Sequence, residues 1–119
     1  MEQTHDLATA ARELVSRALV PYGERPSAAE VARLLDELTR HGWALHGAVL
    51  AVPEPQRSLR AAGGLADWSH LVADPPRGIT DSTRWSYCRA VARALRTLLR
   101  ALEEREHSHA HAHRPAGAQ

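Results

Sequence analysis

Residues 81–102 read Asp81-Ser82-Thr83-Arg84-Trp85-Ser86-Tyr87-Cys88-Arg89-Ala90-Val91-Ala92-Arg93-Ala94-Leu95-Arg96-Thr97-Leu98-Leu99-Arg100-Ala101-Leu102. Within this stretch Cys88, Val91, Leu95, Leu98 and Leu102 recur with a 3-4-3-4 spacing, the apolar seam of an amphipathic helix. Asp81, Ser82 or Thr83 is placed to cap its start. The opposite side is basic. At ~100° per residue, Arg89, Arg93, Arg96 and Arg100 fall within about 60° of one another, with Trp85 close to the same stripe. No acidic residue lies between Arg84 and Arg100.

Three further segments carry helical periodicity. Leu7, Ala10, Ala11, Leu14, Val15, Ala18 and Leu19 share one face of a first helix, which Thr4 or Asp6 can cap and Pro21-Tyr22-Gly23 ends. A second starts at a Ser27-x-x-Glu30 capping box and keeps phase through Val31, Leu34, Leu35, Leu38, Leu45, Val49 and Val52 up to Pro53. Within it, Gly42 and Gly47 mark either a break or the close approach of a neighbouring helix or ligand. The third, about Pro55 to Ala73, has Gly63-Gly64 at its centre and reads as one helix or two short ones; Asp74-Pro75-Pro76-Arg77-Gly78 ends it. Four helical segments with short connections predict an all-α antiparallel bundle over residues 1–106. Beyond Glu106 the His-rich run cannot bury an apolar face, which predicts a disordered C-terminal tail over 107–119.

Composition agrees with that fold and excludes several chemistries. Of the 119 residues, 44% are hydrophobic and only 4% aromatic, so the core is built from Leu, Val and Ala, and the aromatic and β-branched richness of a sheet is missing. A chain of this length buries roughly 65% of its unfolded surface, enough for a core without metal or disulfides. All 15 basic residues are Arg, and Lys, Asn and Phe are absent, as a very GC-rich genome of the actinomycete kind would produce. Without Lys there is no Schiff-base nucleophile and no P-loop of the usual type. With Cys88 alone there is no internal disulfide, CxxC pair or Cys-rich zinc site. No apolar run reaches the ~20 residues of a membrane span, and the first residues lack the layout of a secretory signal, which predicts a cytoplasmic protein.

The net charge of +1 conceals an asymmetry. Residues 1–55 hold 5 Arg against 8 acids, and residues 56–106 hold 9 Arg against 6, so a half of charge −3 precedes a half of charge +3. The stripe of Trp85, Arg89, Arg93, Arg96 and Arg100 is therefore the candidate docking surface for an acidic protein partner, because guanidinium forks match carboxylate geometry. Its plain alternative is a solvated face neutralised by Glu103 and Glu104, at i+3 and i+4 from Arg100. Nucleic acid is a less natural partner, since a dedicated binder carries a strongly basic domain. The 3-4 spacing of the last helix equally supports a homodimer.

Metal chemistry has four candidate ligands. Glu37 and His41 are four apart, and Asp67 and His70 three apart. A metal- or small-molecule-binding enzyme would draw on these, whereas helix surface pairs are the simpler reading. The Glu-x-x-His repeat of di-iron bundles is missing, and no cofactor is expected. In an extended tail His107, His109, His111 and His113 project to one side and bind Zn, Ni or Cu weakly. Cys88 lies on the apolar seam as a small core residue, and Trp43 and Trp68 are expected in the core with their indole N–H groups partnered.

The segment Leu38-Thr39-Arg40-His41-Gly42 leading to Val49-Leu50-Ala51-Val52-Pro53-Glu54, followed by a Trp-containing helix, a Gly-containing loop and the helix Tyr87–Leu99, resembles the small actinomycete proteins of domain-of-unknown-function family 6415, which are labelled natural product biosynthesis proteins. The resemblance spans about residues 5–104. It implies an accessory role in a biosynthetic cluster and carries no catalytic residue over. The reading is thus a non-enzymatic interaction protein, with a bundle enzyme or a DNA-associated regulator as alternatives.

Overall fold

The computed structural model describes residues 2–77 and 80–112, with side chains from Asp6 to Ser108. Four helices form: α1 (Glu2–Ala18), α2 (Ala28–Leu50), α3 (Leu59–Ala73) and α4 (Asp81–Ala112). Short 3-10 turns at Tyr22–Glu24 and Glu54–Gln56 lie in the first two connections. The described residues contain no strand.

Local signals explain most of the helix ends. Ser27 Oγ accepts from the Glu30 amide at 3.3 Å, one half of the expected capping box. Ser58 caps α3 in the same way, accepting from the Ala61 amide at 3.0 Å. The cap of α4 is Thr80, one residue before the expected trio. Its Oγ1 accepts from the Thr83 amide at 3.1 Å. For α1 the helix already begins at Glu2, ahead of both Thr4 and Asp6. Arg57 closes the C-terminus of α2 by donating to the Val52 and Leu50 carbonyls, each at 2.9 Å.

Both glycine ambiguities resolve toward close packing. α2 runs unbroken through Gly42, and a Cβ there would collide with the Trp68 ring, so the glycine marks a close approach and not a break. The indole of α3 thus sits directly on the α2 backbone. α3 is one helix, and the place of a Cβ on Gly64 is 3.2 Å from Leu98 and Thr97 of α4. Gly47, by contrast, faces open space.

α4 runs antiparallel to α1 and to α3, and parallel to α2, whose Val31 lies near Arg84 and whose Val49 lies near Ala101. Arg12 meets Glu103 while Ala18 meets Arg89, and Arg60 meets Glu104 while Leu71 meets Tyr87. α4 packs on all three other helices. That is why its buried arc is wide: Trp85, Cys88, Val91, Ala92, Ala94, Leu95, Leu98, Leu99 and Ala101 all belong to the core. The Cys88/Val91/Leu95/Leu98 seam, which the spacing alone offers equally to a dimer, is consumed inside the chain's own bundle. α4 is helical through Ala112, six residues past Glu106, so 107–112 is helical rather than extended. Residues 113–119, including His113, lie outside the described part.

Candidate functional site

Two of the five residues expected to face a partner hold the fold together instead. Trp85 is fully buried, and its Nε1 donates to the Tyr22 carbonyl at 3.0 Å. Arg89 is half-buried and donates to the carbonyls of Ala18 and Val20, the open C-terminal end of α1. Its guanidinium also lies 5.5 Å from the Trp85 ring centroid and 5.8 Å from that of Tyr22. The Tyr22 hydroxyl in turn shares hydrogen bonds with Ser82 Oγ at 2.9 Å and Ser86 Oγ at 3.2 Å, which hold its pKa below the ordinary value. Together these contacts latch the α1–α2 connection onto the first two turns of α4. The end of α1 and the Tyr22 turn that follows it approach α4 from the side where Trp85 and Arg89 project, which is why neither faces outward.

Arg93, Arg96 and Arg100 remain. Arg93 and Arg100 are exposed and Arg96 is half-buried. The acids expected to neutralise this face are drawn elsewhere: Glu103 pairs with Arg12 of α1 at 2.6 Å, and Glu104 pairs with Arg60 of α3. Among the described residues no carboxylate forms an ion pair with Arg93, Arg96 or Arg100. The result is a ridge of three guanidiniums on the outer side of α4, spanning about 10 Å at 1.5 Å per residue.

Beside the ridge, α3 and α4 leave an open groove of about 540 Å³. Half of its lining residues are apolar, Ala66 and Leu71 from α3 and Ala90 and Ala94 from α4. Asp67 and His70 stand on the α3 side, and Arg93 and Thr97 on the α4 side. Arg93 therefore belongs to both ridge and groove. Neither Thr97 nor the alanines are conspicuous in the sequence, because alanine fits a buried face and a surface equally well.

The four metal candidates do not converge. Glu37 faces α1, where its carboxylate lies 3.6 Å from Arg17, and His41 Nδ1 is 2.9 Å from the Glu37 carbonyl oxygen. Asp67 and His70 border the α3–α4 groove instead. The described residues contain no group of three or more His, Cys, Asp or Glu that could hold a metal ion. Cys88 is buried, and burial pushes its thiol up to about 11, so the protonated form prevails at neutral pH.

The tryptophans divide differently from expectation. Trp68 is fully buried but its Nε1 has no hydrogen-bond partner, whereas Trp43 is 50% exposed. Trp43 packs edge-on against Trp68 at 5.8 Å and His46 at 5.4 Å. A single indole fills the space over Gly42, and Trp43, one position along α2, is left on its rim.

Among the described residues no helix is long and apolar enough to cross a membrane. Comparison with protein-family models, with curated proteins and with solved structures returns no match.

Proposed function

We propose that the protein is a non-enzymatic interaction module of the cytoplasm that docks a partner with an acidic surface through Arg93, Arg96 and Arg100. The observation that carries this reading is the diversion of Glu103 and Glu104 to Arg12 and Arg60. Like charges at i, i+3 and i+4 on a helix repel by a few tenths of a kcal/mol per pair. Glu103 and Glu104 stand at i+3 and i+4 from Arg100 and could neutralise that end of the ridge, yet both bridge to neighbouring helices. Exposed ion pairs add little stability, so their position matters here mainly for which guanidiniums they leave available. An accessory place beside biosynthetic enzymes is proposed on the sequence resemblance to family 6415 alone.

The test is affinity capture from the lysate of the source organism with the wild-type protein and with R93E/R96E/R100E. The expected result is a partner retained by the wild type, released as salt rises, and lost from the variant at unchanged thermal stability. Equal capture by both proteins overturns the reading.

A further inference from the structure

We infer that the partner element seated on this surface is an α-helix with a narrow apolar stripe flanked on one side by acids, lying along the α3–α4 groove with its carboxylates on the Arg93/Arg96/Arg100 ridge. This rests on the docking role proposed above and specifies the partner's shape.

Three features of the groove select a helix over a globular acidic surface. The more buried part of its lining is Leu71 of α3 with the short side chains Ala90, Ala94 and Thr97 of α4, none of them charged. Helices pack at ~8–10 Å between axes, and small residues at the contact permit the closer end of that range. The groove follows α4, so an incoming helix aligned with it presents side chains at the period of the ridge itself. Arg93, Arg96 and Arg100 stand at i, i+3 and i+7, and carboxylates spaced i, i+3 or i+4, and i+7 on the partner meet them one for one.

The two walls differ in charge, which fixes how the helix lies. The α4 side offers Arg93 and the ridge behind it, while the α3 side offers Asp67 and His70. A helix with acids along both edges of its apolar stripe would set one row against Asp67. The preferred occupant is acidic on the α4 side and neutral or basic on the α3 side. Such an arrangement favours an amphipathic helix over a merely polyanionic ligand, because the apolar part of the groove contributes only to a partner that has an apolar stripe to cover it.

The test uses a synthetic amphipathic peptide of about 20 residues, long enough to hold helix when docked, with a Leu/Ala stripe and glutamates along one flank. A second peptide replaces those glutamates by lysines, and a short DNA duplex serves as the polyanion without an apolar stripe. Binding is measured by calorimetry to the full chain, to R93E/R96E/R100E, and to two groove-filling variants, Ala66→Trp at an exposed position and Ala90→Gln at a half-buried one. The expected result is saturable binding of the acidic peptide only, weakened at least about tenfold by either groove variant and by the charge reversal. If the charge reversal abolishes binding while A66W and A90Q bind as the wild type does, the groove inference is overturned and the ridge reading stands. If no protein binds the peptide but the captured partner still distinguishes wild type from R93E/R96E/R100E, the helical partner is likewise excluded. Preference for the duplex over the acidic peptide overturns it as well, and equal peptide binding by wild type and charge reversal removes the ridge reading itself.

Discussion

Gly42 and Gly47 lie five residues apart on α2 and respond oppositely to a methyl group. A Cβ at Gly42 would meet the Trp68 ring, so Gly42→Ala must displace a fully buried indole, and an overpacking cost of about 1–3 kcal/mol is expected in urea denaturation. At Gly47 nothing stands within 4 Å, and Gly47→Ala should stabilise by up to ~1 kcal/mol through helix propensity alone. Arg89 and Arg96 form a second contrasting pair. Removing Arg89 leaves the last carbonyls of α1 without their donor, for an expected loss of about 2 kcal/mol in Arg89→Met, whereas Arg96→Met should leave stability within ~0.5 kcal/mol. Cys88 adds a pH signature. A thiol raised from 9.0 to about 11 on folding contributes stability that is complete below about pH 9 and is lost as pH rises toward 11. The alkaline slope of unfolding free energy should therefore be shallower in Cys88→Ala than in the wild type. Identical slopes would show that the thiol is not held protonated by the fold.

At the scale of elements, helix existence was legible and helix neighbours were not. The 3.6-residue recurrence of Leu, Val and Ala identifies α1, α2 and α4, and the Ser27 capping box marks the start of α2, whereas α3 begins at Leu59 behind Ser58 and not near Pro55, where a 3-10 turn lies instead. Periodicity says which arc of a helix is apolar but not how many partners close on it. For α4 there are three, so the buried arc extends to Ala92, Ala94 and Ala101, residues whose side chains carry no preference strong enough to reveal it. Trp85 and Arg89 fell on the wrong side of that boundary for the same reason. The clamp that holds them comes from Tyr22, about 60 residues away in a connection without periodicity. A measurable consequence follows for the latch: Tyr22→Phe removes the hydroxyl shared with Ser82 and Ser86, and hydrogen exchange at the start of α4 should accelerate while the Leu95–Leu99 amides stay protected.

Viewed as a whole molecule, the chain separates its charge by function. Two acids of the second half are spent on inter-helix pairs, Glu103 with α1 and Glu104 with α3, which leaves Arg93, Arg96 and Arg100 on the outside of α4 without a carboxylate partner among the described residues. The sequence shows the basic surplus but not its availability. Glu103 and Glu104 stand at helical spacing from Arg100, and only the approach of Arg12 and Arg60 from other helices redirects them. The apolar groove was hidden for a related reason, since it is assembled from unremarkable alanines on two elements. The most direct test is therefore the dissociation constant of the captured partner for the wild type and for R93E/R96E/R100E, measured by calorimetry on proteins of matched melting temperature. The account predicts a loss on the order of a hundredfold, about 3 kcal/mol, that shrinks as salt screens the ridge. An affinity unchanged within a factor of two would contradict it.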